Sequence, residues 1–209
     1  MRRLRILLLV AVAALPVLLV MGADLVLVPA AEDRVESRAR STTKSASVEA
    51  EIGSFPVAAR ALALGEVAMI DITWFGVEVG SLQATSLELD LKGVGLDRSR
   101  LLRGEIQING VESGDVRLLI APSQLSRLFG TEVRIRGGEV RVRTTSDTEV
   151  AVEVSATNRG LVLAAPGVGP VTAELGSAQI PCAPTTSVAG DNLVLSCSFR
   201  GLPPILRDE

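Results

Sequence analysis

The stretch "EVRIRGGEVRVR", residues 132–143, decides the fold class. Two alternating runs flank Gly137 and Gly138, and a two-glycine loop accepts the positive φ angles of a tight hairpin turn. The register that follows pairs Ile135 with Val140 and Val133 with Val142 on an apolar face. The other face sets Arg136 opposite Glu139, Glu132 opposite Arg143, and Arg134 opposite Arg141. Two of these outer pairs attract and the third repels. Arg134 and Arg141 are therefore candidates for an anionic partner such as a phosphate head group. The alternative is a solvated face whose charges are screened by salt.

The same period of two recurs on both sides of this hairpin. Ala68, Ile70, Ile72 and Trp74 alternate with Asp71 and Thr73; Leu87, Leu89 and Leu91 with Glu88, Asp90 and Lys92; Val150, Val152 and Val154 with Glu153 and Ser155. Such runs are half-buried antiparallel strands. Further strands are expected at 77–84, 105–112, 115–120, 161–164, 171–180 and 193–199. One break stands out, "APSQLSRLFG", where Pro122 suits a first helical position, Gly130 a stop, and Leu125, Leu128 and Phe129 fall at helical spacing. The expected class is α+β: a curved antiparallel β-sheet packed on one or two short helices.

At the N-terminus, "MRRLR" precedes an uncharged run from Ile6 to Ala23. As a helix this run spans about 27 Å, close to the hydrocarbon thickness of a bilayer, with the arginines left on the cytoplasmic side. Residues 1–30 are thus a signal peptide or a membrane anchor. The small residues of "VPA" at 28–30 suit a peptidase, whereas the length of the apolar run favours retention. No cysteine near residue 25 offers a site for lipidation. Residues 31–47 are a polar tether or short helix, 48–203 the folded domain and 204–209 a C-terminal tail.

Export changes the reading of the two cysteines, Cys182 and Cys197. In an oxidising compartment they are a candidate disulfide, closing a loop worth about 3 kcal/mol by the chain-entropy model. Cys197 shares parity with Leu193, Leu195 and Phe199, which turns it to the apolar face of a strand. Two buried reduced thiols are the competing reading.

Composition narrows the chemistry. A net charge of −3, four phenylalanines, one tryptophan and no tyrosine leave neither the field nor the stacking surface for nucleic acid. Histidine is absent, which removes the commonest general base and metal ligand. No cofactor or metal is implied and a non-enzymatic role is expected, with carboxylate-only catalysis as the remaining enzymatic route.

Three stretches resemble a known family. "IGSFPVAARALALGEVAMIDI" is similar to an opening pattern in which a Gly-x-x-Pro element leads through an apolar run to Gly and a valine-rich strand. "LLRGEIQINGVESGDVRLLIAPSQLSRLF" is similar to a centre of two strands and a short helix, and "AEDRVESR" follows the leader. The family is the actinobacterial LmeA-like phospholipid-binding proteins. The resemblance implies a tubular-lipid-binding type of architecture and an extracytoplasmic, cell-envelope protein that binds phospholipid in an apolar groove between sheet and helix. It further implies support of lipoglycan (mannan) assembly, to which at least one member is connected. On that basis the groove candidates are Phe55, Pro56, Leu62, Leu64, Trp74, Leu125, Leu128 and Phe129. The run "VAARALALG" is richer in alanine than the family pattern, which bears on groove depth. A structural envelope protein that docks on an unknown protein partner is the alternative function.

Overall fold

The computed structural model describes residues 24, 25, 28–37, 39, 40, 45–53, 56–103, 105–144, 147–157, 160–176, 179–203 and 206. Of the expected leader at 1–30, residues 1–23, 26 and 27 lie outside the described residues, as do the groove candidate Phe55 and nearly all of the expected tail at 204–209. Among those described, no helix is long and apolar enough to cross a membrane.

The chain is α+β, as its patterning predicts. After helical residues at 28–37 come β1 (Ser47–Gly53), α1 (Val57–Leu64), β2 (Glu66–Phe75), β3 (Glu78–Val79), β4 (Leu82–Gln83), β5 (Ser86–Leu96) and α2 (Arg98–Leu101). Then follow β6 (Ile108–Ile120), α3 (Pro122–Phe129), β7 (Val133–Arg136), β8 (Glu139–Arg143), β9 (Glu149–Ala151) and β10 (Glu153–Ala156). The last strands are β11 (Gly160–Ala165), β12 (Val168–Glu174), β13 (Thr185–Ala189) and β14 (Asn192–Phe199). Strands β1-β2-β5-β6-β14-β13 form a six-stranded sheet, and every pairing in it is antiparallel. Two three-stranded sheets, β7-β8-β9 and β10-β11-β12, and the small β3-β4 ribbon complete the fold.

Alternation decides which side of the large sheet is dry. Ile70, Ile72 and Trp74 of β2, Leu87, Leu89 and Leu91 of β5, Val116, Leu118 and Ile120 of β6, and Leu193 and Leu195 of β14 are all buried. They join Leu125 of α3, Val140 and Val142 of β8, and Leu161 and Leu163 of β11 in one apolar cluster. Thus the hydrophobic face of the large sheet is covered by the smaller sheets and α3 rather than by long helices.

The structure refines the expected elements where a glycine turns the chain. The run at 77–84 is a ribbon of two short strands because Gly80 takes φ 63° between them. That turn sits so close to the carbonyl of Glu174 that a Cβ at Gly80 would collide with it. Ser81 N donates to Glu174 O at 3.0 Å and Glu174 N to Ser81 Oγ at 2.9 Å, tying the ribbon to the end of β12. The strands expected separately at 105–112 and 115–120 are one 13-residue strand, β6. Conversely, the run at 150–155 divides between β9 and β10, strands of two different sheets. Strand β1 and helices α1 and α2 carry too little periodicity to be read from the sequence.

Strand β1 is an edge, and the helical segment closes it. Glu32 Oε1 accepts from Ile52 N at 3.0 Å and Glu36 Oε1 from Ala50 N at 3.2 Å. Two glutamates one helical turn apart match alternate amides of a strand, because both repeats advance about 6–7 Å. The amides that would otherwise template another strand are thereby satisfied.

Candidate functional site

The sequence-derived candidates fall at two ends of the large sheet. Pro56, Leu62 and Leu64 belong to α1 and the residue before it, beside the start of β2. Leu125, Leu128 and Phe129 belong to α3, which follows the opposite end of β6. Trp74 is near the second end, paired with Val48 and Leu87 across the sheet.

Leu125 and Trp74 are core residues, 0% and 1% exposed. The indole Nε1 of Trp74 donates to Ala39 O at 3.2 Å, which fastens the N-terminal helical segment to the sheet. Leu128 and Phe129 pack against the same core. Ser126 anchors α3 from both sides, its Oγ donating to Pro122 O at 2.8 Å and accepting from Val133 N at 2.9 Å.

Helix α1 is built the other way round. Pro56 begins it with no side-chain cap of its own, and the orphan Val57 amide donates instead to Asp24 Oδ2 at 2.9 Å. Gly65, at φ 69°, ends it with its amide on Ala61 O at 2.9 Å. Ala61 is buried, whereas Leu62 and Leu64 are 51% and 64% exposed. At roughly 100° per residue these leucines flank the buried alanine on either side. The helix therefore rests on Ala61 and Val57 and overhangs this support with larger apolar side chains.

Next to it, α2 begins at Asp97, whose Oδ1 accepts from Ser99 Oγ at 2.6 Å, Ser99 N at 2.8 Å and Arg100 N at 3.2 Å. These bonds, the Ser99 side chain first, hold the Asp97 carboxyl below its ordinary pKa. Arg98 reaches back to α1, donating from Nη2 to Leu62 O at 3.2 Å. Leu102 follows, 78% exposed.

The arginine hairpin has the register expected from its sequence, Arg134 opposite Arg141 and Ile135 opposite Val140. Each arginine of the like-charged pair finds its own carboxylate. Arg134 lies 2.7 Å from Glu132 and 3.4 Å from Glu149, and Arg141 lies 3.0 Å from Glu139. The hydrogen bond from Arg134 lowers the Glu132 pKa, and Glu132 in turn holds Arg134 in its charged form. The repulsion read from the sequence is thus relieved within the sheet.

The outer face of the large sheet carries a row of acids that sequence reasoning missed. Glu51, Asp71, Asp90 and Asp115 stand side by side on β1, β2, β5 and β6. Partial burial raises the Asp71 pKa, and Asp90 and Glu51 add to it. Lys92, 3.6 Å from Asp115, and a 2.6 Å bond from Ser198 Oγ to Asp115 Oδ1 partly offset the row. Among the described residues no group of three or more His, Cys, Asp or Glu is arranged to hold a metal ion.

Cys182 and Cys197 are joined in a disulfide with their Cα atoms 5.9 Å apart. A structural disulfide belongs to an oxidising compartment.

A family model for LmeA-like phospholipid-binding proteins matches residues 22–195, taking in the large sheet as far as the middle of β14, all three labelled helices and the edge-capping glutamates. The chain belongs to the LmeA-like phospholipid-binding family. Neither a curated protein nor a solved structure gives a significant match. The description of that family is phospholipid binding.

Proposed function

We propose that this protein binds a phospholipid on the extracytoplasmic side of the plasma membrane, retained there by an uncleaved N-terminal anchor, and so supports lipoglycan (mannan) assembly. Acyl chains lie along the flanks of α1, against Leu62, Leu64, Pro56 and the start of β2. The carrying observation is the construction of α1, which buries an alanine and exposes leucines inside a phospholipid-binding family. Each methylene sheltered there contributes about 0.8 kcal/mol. Phe55, immediately before Pro56, is proposed to join this lining. Trp74, Leu125, Leu128 and Phe129, packed on the core toward the opposite end of the sheet, are proposed to support the sheet rather than to touch the acyl chains. Arg134 and Arg141 are a secondary head-group contact, engaged when a lipid phosphate competes with Glu132 and Glu139.

Native mass spectrometry of the full chain, purified from membranes, tests the reading. The expected result is co-purifying phospholipid, with occupancy lowered in an L62Q/L64Q double variant whose circular dichroism is unchanged. A lipid-free protein that retains one protein partner would instead favour a structural role in the envelope.

A further inference from the structure

All five large apolar side chains that stand exposed among the described residues, Leu25, Leu62, Leu64, Met69 and Leu102, gather at one end of the six-stranded sheet. The strand register shows this. Strand β1 ends at Gly53 opposite Met69, β2 starts at Glu66 opposite Gly95, and β5 runs out through Leu96 toward α2 and Leu102. Asp24, bonded to the Val57 amide, brings Leu25 to the same end. The other end, where Phe75, Ser86, Ile120 and Asn192 terminate their strands, has none of these five. Leu25 and Leu102 are each 78% exposed, which a water-facing surface does not require. Apolar residues concentrated in this way mark a contact surface.

Two observations say what covers it. The uncharged run Ile6–Ala23 leads directly into Asp24, so this end adjoins whatever receives that run. Exposed Arg98, Arg100 and Arg103 are interleaved with Leu102, in the manner of surfaces that insert leucines between lipid head groups while cations meet the phosphates. The acidic row of Glu51, Asp71, Asp90 and Asp115 on the sheet's flank would be repelled by the same surface, which favours an end-on stance.

The geometry points to this end of the domain, with Leu25, Leu62, Leu64 and Leu102 as inserting side chains and Arg98, Arg100 and Arg103 as head-group contacts, as a docking face for an anionic phospholipid bilayer. The domain stands on the leaflet from which its N-terminal run emerges. This goes beyond the carriage of a single lipid, since a domain that carries none would still dock.

The full chain in nanodiscs of phosphatidylglycerol and phosphatidylcholine with brominated acyl chains provides the test. An L102W variant reports contact at the proposed face, a D191W variant reports the turn between β13 and β14 at the other end, and buried Trp74 supplies a constant background. The added emission of L102W is expected to fall about two-fold or more in brominated discs while that of D191W is unchanged. Adding R100E and R103E to L102W should restore most of that emission. Equal quenching of L102W and D191W, or none of L102W, would overturn the docking face. Bound-lipid content is measured separately on the unmodified chain, so loss of docking and loss of lipid carriage are distinguishable.

Discussion

Helices α1 and α3 each have eight residues and each stops at a glycine in the left-handed region, Gly65 at φ 69° and Gly130 at φ 68°. They serve opposite ends of the same sheet in opposite ways. In α3 the apolar residues Leu125, Leu128 and Phe129 fall at i, i+3 and i+4, make one stripe and meet the core. In α1 the buried side chain is that of Ala61, and Leu62 and Leu64 are left outside. The contrast teaches that helix length and caps do not fix a role; the angular position of the large side chains does. A leucine stripe on the core makes a structural helix, and leucines beside a buried alanine leave apolar surface exposed.

The comparison breaks most readily at α3. Leu125→Ala should cost about 2–5 kcal/mol in urea unfolding, because a side chain with no exposure leaves a cavity. L62Q/L64Q should stay within about 0.5 kcal/mol of the parent in the same experiment. Comparable losses at both helices would remove the distinction between them.

A second test weighs the covalent tie. Replacing Cys182 and Cys197 by serine should lower stability by about 3 kcal/mol, with the closed loop of separation 15 setting the scale. An unchanged denaturation midpoint would mean that the strand ladder alone holds β13 and β14.

The α1 end is sharpened by Asp24→Ala, which removes the acceptor on the Val57 amide. A loss of about 1 kcal/mol is expected, as for a helix cap. Faster amide exchange should be confined to α1 and the helical segment. Exchange that accelerates throughout the sheet would show that Asp24 supports the whole fold.

The smallest effect is electrostatic. The Asp71 carboxyl is raised above its ordinary value of 3.8. Its contribution is therefore present below that value and lost as pH rises through the higher folded-state value. Asp71→Asn should accordingly stabilise the protein at pH 7 by a few tenths of a kcal/mol, screened by solvent. The gain should vanish as the pH falls below about 4. A gain that persists in acid would assign the effect to packing.

The hairpin at 132–143, the alternating cores of β2, β5 and β14, the helix α3 and the partner of Cys197 were legible because each is written in local periodicity or turn chemistry. Strand β1 was not, since an edge strand whose amides bond to Glu32 and Glu36 needs no strong pattern of its own. Helix α1 was hidden by its alanines, and the acidic row by its spread over four strands. Among the candidate site residues, Leu62 and Leu64 were recognisable as large apolar residues in a weakly periodic run. Leu102 was not, although its arginine-rich surroundings, "RSRLLRG", offered a signal.

The sequence by itself determined an antiparallel β-rich chain, its disulfide candidate and an uncharged run at residues 6–23, because alternation, parity and charge are properties of neighbours along the chain. Only the tertiary structure decided that Trp74 and Leu125 are core while Leu62, Leu64 and Leu102 are surface. It likewise decided that all the exposed large apolar residues described share one end. Exposure depends on which strands and helices come together in space, and residues as far apart as Leu25 and Leu102 acquire a common face through strand register and the Val57–Asp24 hydrogen bond.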